Sequence, residues 1–397
     1  MKRDVLRSSS ASDRRRIDGI DALRALAIFY VLMNHVNMRL LSLHYLRSVP
    51  PGLADALVWQ GQAGVQIFFA VSGFLITSTS LRRWPELGRL RVGDFYLLRF
   101  ARIAPLLLTL VGMLCVLHAL GLPDYVVSAK VGGLKAALVA AFTLRIGLLE
   151  ATRGYLPGSW DILWSLSVEE AFYLGFPLVC RLLGRGRLLV IALLSFVLLG
   201  PFGRTVLTHG NEVWQEYSYL GGMDAIALGC LMALATARRT FTRKTITAWT
   251  VSGLMLLGFC LGFSQTVRRL GLSKAGLGMS VLAVGTCMLI AAAAQSQWQA
   301  PRMLGWVLVY GRRSYEIYLT HMFVVFGCFH FFMRHTGRSL RMMPVLFVVT
   351  IVFAGLLGEL VGRYFSEPAN RWIRLRFRAA ASVGMERVAG SPALHSR

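Results

Sequence analysis

Stretches of about twenty residues with almost no charge recur along this chain, at 18–41, 60–81, 97–120, 161–183, 187–203, 217–237, 245–264, 275–295, 303–333 and 343–366. A helix of ~20 apolar residues, rising ~1.5 Å per residue, crosses the ~30 Å hydrocarbon core of a bilayer. In lipid, every backbone N–H and C=O must be satisfied inside the segment or inside a closed barrel. These runs are continuous and do not alternate between apolar and polar residues, which speaks against a barrel. The expected fold is all-α, a polytopic membrane helical bundle of about 10 transmembrane helices. Composition agrees: only 16% of the 397 residues are charged, where a soluble domain holds about a quarter.

The net charge of +24 raises nucleic acid as a partner, and the placement of the basic residues argues against it. They lie in short clusters between apolar runs, "RRR" at 14–16, "RRWPELGRLR" at 82–91, "RLLGRGR" at 181–187 and "ARRTFTRK" at 237–244. That is the pattern of the cytoplasmic side of a membrane protein. It also decides the role of a weaker apolar run, 131–149, which holds Lys135 and Arg145. If this run crossed, the clusters at 181–187 and 238–244 would fall outside. The region 121–160 is therefore expected to be an outer excursion with a re-entrant or interfacial helix, and both termini are expected to be cytoplasmic. Basic loops at 268–274 and 334–341 are left outside. Residues 1–16 read as a basic cytoplasmic tail, 17–372 as one membrane domain and 373–397 as a second cytoplasmic tail. No internal repeat is visible, and the first apolar run, without a clear cleavage site, reads as a retained signal anchor. The 6 cysteines form no C-x-x-C pair and no zinc spacing, so they are expected to be small buried hydrophobes, with no metal site.

The first run, "IDALRALAIFYVLMNHV" at 20–36, carries Arg24 and His35. Eleven residues make almost three helical turns, about 16 Å, so both side chains share one face. Asp21 stands three residues before Arg24, within pairing distance. Ionisable groups at membrane depth face a partner or water and lean towards function. A neutral imidazole can take a proton from a hydroxyl near neutral pH, and a guanidinium holds a phosphate or carboxylate through paired hydrogen bonds. A hydrogen-bonded histidine between helices is the competing structural reading.

Other polar residues interrupt later runs. "GVQIFFAVSGFLIT" at 64–77 offers Gly64 and Gly73 for close helix approach, and Gln66 and Ser72 for hydrogen bonds. "FYLLRFARIAPL" at 95–106 places Arg99 and Arg102 on one face, either as interfacial anchors or as a grip on phosphates. "SWDILWSLSVEEAFYLGFPLV" at 159–179 contains Glu169 and Glu170. They point about 100° apart, so one at most faces a given site, and Glu169 could pair with an arginine or orient His35. "GRRSYEIYLTHMFVV" at 311–325 adds Tyr315, Glu316, Tyr318 and His321, and Pro105, Pro177, Pro201 and Pro344 can kink helices.

Taken in series, "IDGIDALRALAIFYVLMNH" with its R-x10-H spacing, "GVQIFFAVSGFLIT", the R-x-x-R of Arg99 and Arg102, "WSLSVEEAFYL", "RRSYEIYLTH" and "SEPANRW" at 366–372 resemble the acyltransferase type 3 family of bacterial integral-membrane O-acyltransferases. The resemblance runs from about 17 to 372. It departs at Ala22, where a glycine is usual, and no esterase-like domain is expected after it. The resemblance implies a multi-pass enzyme of the bacterial inner (cytoplasmic) membrane that uses acyl-CoA, by default acetyl-CoA, as co-substrate, with no permanently bound cofactor. The implied acceptor is a hydroxyl of a cell-surface glycan, a lipid-linked sugar or a small molecule such as a macrolide. His35 is then the general base or a transient acyl carrier, and Glu169 tunes or orients. Arg24, Arg99 and Arg102 bind CoA phosphates or stabilise developing charge, and Ser72, Tyr315 and His321 complete the binding set. A transporter without acyl transfer is the rival class, and it predicts the repeats that are not seen.

Overall fold

The computed structural model describes residues 17–377, apart from 185–186, 297 and 337–338. The expected tail 1–16, and 373–397 beyond residue 377, lie outside the described residues. The chain begins with α1 (Asp18–Leu40), a short α2 (Pro51–Leu57), α3 (Gly61–Arg83) and α4 (Val92–Ala119). Two short helices follow, α5 (Gly133–Phe142) and α6 (Ile146–Arg153), and a single turn at Gly158–Asp161 leads into α7 (Leu163–Leu183). Next come α8 (Leu188–Arg204), α9 (Glu212–Tyr217), α10 (Tyr219–Arg238), α11 (Arg243–Gly262), α12 (Ser264–Arg269) and α13 (Gly278–Ser296). The last are α14 (Gly305–Arg312), α15 (Ser314–His335) and α16 (Met343–Val361), which continues through a π-turn at Gly362–Ser366. The described residues contain no strand.

Among the described residues, 9 helices are long and apolar enough to cross a membrane. The all-α, multi-pass expectation therefore holds, and the departures from ten spans have local causes. The run 187–203 forms α8, whose 17 residues reach only about 26 Å. The run 303–333 is two helices, α14 and α15, parted at two consecutive arginines, Arg312 and Arg313. The run 131–149 is broken at Leu144, a leucine at φ 60°, the left-handed region that a side chain with a Cβ rarely adopts. Its halves, 10 and 8 residues long, rise about 15 and 12 Å, and neither spans hydrocarbon alone. Pro105, Pro177 and Pro201 lie inside helices, whereas Pro344 sits in the first turn of α16, where its missing N–H costs nothing.

The helices form two compact units, one from residues up to Pro85 with Val190–Ser314, the other from Glu86–Leu189 with Tyr315 onward. In the first unit, small residues let backbones touch. A side chain on Gly73 of α3 would land on the Ile226 carbonyl of α10, and one on Gly229 of α10 would land on the Ala70 carbonyl of α3. A Cβ on Gly64 would lie 2.5 Å from the Ala27 carbonyl of α1. The expectation of close approach at Gly64 and Gly73 is thereby met.

A buried polar cluster ties four helices of this unit together. Arg204, at the end of α8, meets Asp224 of α10 through Nη1 at 3.1 Å and Nη2 at 2.7 Å. Its Nε donates to the Gly276 carbonyl at 2.9 Å, Nη1 also donates to the Gly221 carbonyl, and Nη2 meets Ser280 of α13 at 2.5 Å. Gln66 of α3 donates to the same aspartate at 2.9 Å. Asp224 is fully buried and the Arg204 side chain is 8% exposed. A buried pair adds little net stability when intact, but losing one partner strands a charge.

In the second unit the excursion carries a different device. Glu150 of α6 is buried, and its Oε1 accepts the Leu156 N–H at 3.0 Å. Its Oε2 has no donor among the described residues, and the group it faces is the Asp161 carboxyl. Burial, and secondarily the Asp161 charge and hydrogen bond, push the Glu150 carboxyl up to about 11. One proton held between the two acids satisfies both.

Two outcomes follow from these clusters. Asp224→Ala is expected to cost about 3–5 kcal/mol, measured as thermal or denaturant unfolding of the detergent-solubilised protein, with Asp224→Asn milder. The folded chain holds the Glu150 proton to a much higher pH than the unfolded chain, whose carboxyl ionises near 4.5, so the folded state loses ground as pH rises above that value. Glu150→Gln, which keeps the shape and needs no proton, is expected to flatten the decline in melting temperature between about pH 5 and 9. Glu150→Ala is expected to lower it throughout.

Candidate functional site

In the first unit, α1 is one unbroken helix across Arg24 and His35, so the three-turn spacing places both on one face. Asp18 and Asp21 put negative charge in its first turn, where the helix dipole favours it. Arg24 is 3.8 Å from Asp21, as its i, i+3 spacing suggested, and Arg312 of α14 approaches the same carboxylate at 3.9 Å. The Asp21 backbone is pressed against Gly311, where a side chain would collide with the Asp21 carbonyl. This seats α14 directly on the first turns of α1.

His35 is half-buried, and its Nδ1 lies 2.8 Å from the Val31 carbonyl. A carbonyl oxygen only accepts, so Nδ1 carries the hydrogen and the basic lone pair of the neutral ring sits on Nε2. The helix backbone itself thus fixes which ring nitrogen carries the lone pair. Asn34, beside it, is packed against Gly61 at the start of α3, where an added Cβ would fall 2.5 Å from Asn34 Nδ2. Ser72 is half-buried in the middle of α3, and the Gln66 side chain on that helix goes to Asp224.

The second unit gathers the remaining candidates. Arg99 of α4 donates from Nη2 to Glu169 Oε1 of α7 at 3.1 Å. Its guanidinium lies over the Tyr173 ring at 3.4 Å from the centroid, and the Tyr173 hydroxyl donates to that same Glu169 oxygen. Of the two expected roles for Glu169, pairing with an arginine is present. One turn on, Arg102 is 3.2 Å from Glu316 of α15 and 5.2 Å from the centroid of the Tyr315 ring. The Tyr315 hydroxyl donates to the Ile103 carbonyl at 2.8 Å. Tyr318 donates to the Ile162 carbonyl at 2.9 Å and takes the hydrogen of Ser165 at 2.6 Å. His321 is fully buried, with Nδ1 2.6 Å from the Tyr318 carbonyl, so its lone pair also sits on Nε2.

Two features of this cluster bear on function. Each arginine of the R-x-x-R pair has a carboxylate partner, so a phosphate must compete with that carboxylate or bind on another edge of the guanidinium. Polar atoms also remain over. Arg99 Nε, Glu170 Oε1 and Glu316 Oε2 are buried and make no hydrogen bond among the described residues, and Glu316 Oε1 has only its ion pair with Arg102. Buried groups without partners mark places where something else completes the bonding. No three His, Cys, Asp or Glu side chains among the described residues are grouped to hold a metal ion.

Sequence reasoning assigned no role to Glu316, Tyr173, Arg204 or Asp224. The i, i+4 spacing of Glu169 and Tyr173 and the lone aspartate in the apolar run 217–237 were usable signals. Which arginine meets which acid was not written in any spacing.

The O-acetyltransferase OatA of Staphylococcus aureus strain NCTC 8325 / PS 47 is 24% identical over 388 residues, covering 93% of this chain and 60% of the relative. OatA of strain COL gives the same figures. The chain thus spans about 60% of the length of these relatives. No solved structure matches. The family model for an acyltransferase domain matches residues 17–363, which takes in α1 with Arg24 and His35, the arginines of α4, Glu169 of α7 and the start of α15. The chain belongs to the acyltransferase type 3 family.

Proposed function

We propose that this protein moves an acyl group, acetyl by default, from acyl-CoA to an alcohol, with His35 as general base. The observation that carries this reading is the His35 tautomer. Nδ1 is committed to Val31, which puts the basic lone pair on Nε2, on a helix inside the matched acyltransferase region. Nε2 takes the proton of the acceptor hydroxyl as its oxygen attacks the thioester carbonyl. The C–S bond then breaks, and the CoA sulfur leaves with the proton that the imidazolium returns. Base catalysis of this kind contributes about 10²–10⁴-fold, and alignment of the two substrates supplies much of the remainder.

In this reading the cations available to the phosphates of CoA, or to the charge that develops on the thioester oxygen, are Arg24 in the first unit and Arg99 and Arg102 in the second. Glu169 holds Arg99 in place, and Tyr315 and His321 shape the site around it. The acceptor is a hydroxyl of a glycan or of a smaller molecule, and the names of the Staphylococcus aureus relatives point to O-acetylation. The basic clusters favour a cytoplasmic-membrane protein with both termini inside, so acyl-CoA approaches from the end of α1 that bears Arg24.

His35→Ala is expected to abolish acyl transfer, by about 10²-fold or more, while membrane expression and melting temperature stay near those of the parent. Activity that survives this change sinks the assignment of the base. An acyl-imidazole trapped in the absence of acceptor would replace direct transfer with a relay through the same ring.

The Arg102–Glu316 pair gives a separate test. Arg102→Ala alone leaves Glu316 charged and fully buried, at an expected stability cost of about 3–5 kcal/mol. Adding Glu316→Gln is expected to restore the melting temperature but leave the KM for acyl-CoA raised. A double variant with a normal KM would show that the arginine serves the fold alone.

A further inference from the structure

At the end of the first unit where α1 finishes, the short helices α9 and α12 and the ends of α3, α11 and α13 enclose a cavity of about 410 Å³. That lies within the ~300–1,000 Å³ range of small-molecule sites. Neither Arg24, His35 nor Ser72 lines it. Its chemistry also differs from that of the arginine cluster of the second unit.

The wall presents an indole, Trp59, 45% exposed. Around it stand the amides of Gln62 and Gln215 and the carboxylate of Glu212; Gln62 Nε2 already donates to the Glu216 carbonyl at 3.0 Å, so Gln62 offers a ligand its amide oxygen and second N–H. The side chains of Gln215 and Glu212 are exposed and make no hydrogen bond to another described residue. Ser264 Oγ, also on the wall, is buried and makes no hydrogen bond among the described residues. The two arginines of the lining are already engaged. Arg204 gives its hydrogens to Asp224, Ser280 and two backbone carbonyls, and Arg268 is paired with Asp55 at 2.8 Å. The groups left to a ligand are therefore an aromatic face, amides, a hydroxyl and a carboxylate.

That set disfavours an anion and suits a neutral sugar ring. A pyranose offers an apolar C–H face, which an indole covers. It also offers a rim of hydroxyls, each donor and acceptor, which planar amides and carboxylates bind in pairs. The cavity wall is tied to the candidate base as well, since Gly61, between Gln60 and Gln62 of the lining, is the residue packed on Asn34, the neighbour of His35. We propose that this cavity is a carbohydrate subsite that holds a neutral sugar of the acceptor, with Trp59 as its stacking platform and Gln62, Gln215 and Glu212 reading its hydroxyls. The proposal rests on the O-acyl transfer reading above and names the class of acceptor for it.

The test uses the full chain purified in detergent and saturation-transfer NMR with three probes, methyl glucoside, methyl rhamnoside and N-acetylglucosamine. At least one is expected to receive saturation. Trp59→Ala and Gln215→Ala are expected to weaken that sugar about tenfold each, with the melting temperature held because neither side chain belongs to the core. His35→Ala is expected to bind it as the parent does. Absence of transfer to all three sugars, or binding indifferent to both Trp59 and Gln215, overturns the subsite. Trp59-dependent binding in a protein that transfers no acyl group from any acyl-CoA would overturn the reaction and leave the subsite standing.

Discussion

A charge inside hydrocarbon has to be met by an opposite charge, and that requirement governs how this protein is assembled. Arg204 and Asp224 meet inside the first unit, and Arg99 with Glu169 and Arg102 with Glu316 inside the second. Each pair joins two different helices, and those of α4 reach segments distant in sequence, so each fixes a register that apolar packing alone would leave loose. The pairs are not equivalent. Arg204 spends its donors on protein atoms throughout, and its surroundings are complete. The arginines of α4 are met less completely: Arg99 Nε makes no hydrogen bond among the described residues, and Glu316 meets Arg102 only as an ion pair.

The same logic shapes α1. Its first turn is crowded by Asp21, Arg24 and Arg312, and its other end carries a histidine whose proton position is set by the helix's own backbone. No second-residue orienter is needed to choose the tautomer, because the i−4 carbonyl does it. One continuous helix thus keeps Arg24 and His35 on a common face.

Much of this is legible in the sequence alone. Long apolar runs declare themselves by length, and the helices at 18–40, 61–83, 219–238, 243–262 and 278–296 follow them closely. The spacing of Arg24 and His35 needed only the helical repeat, and pairing of Asp21 with Arg24 needed only i, i+3. What stayed hidden depends on contacts between distant segments. A leucine gives no warning that it will sit at positive φ, so the break at Leu144 was invisible. The break before Ser314 comes where Arg312 is drawn towards Asp21, almost three hundred residues earlier in the chain. The adjacent acids 169 and 170 were known to diverge, but which one would take Arg99 and Tyr173 is a property of the packed helices.

The contact between Asn34 and Gly61 carries an evolutionary consequence. Position 61 tolerates no side chain while an asparagine stands at 34, so the two can drift only in concert. Sequence change that reshapes the cavity mouth is thereby filtered through the turn that holds the imidazole. Paralogues that diverge in what they accept would be expected to show their compensating exchanges at this pair first.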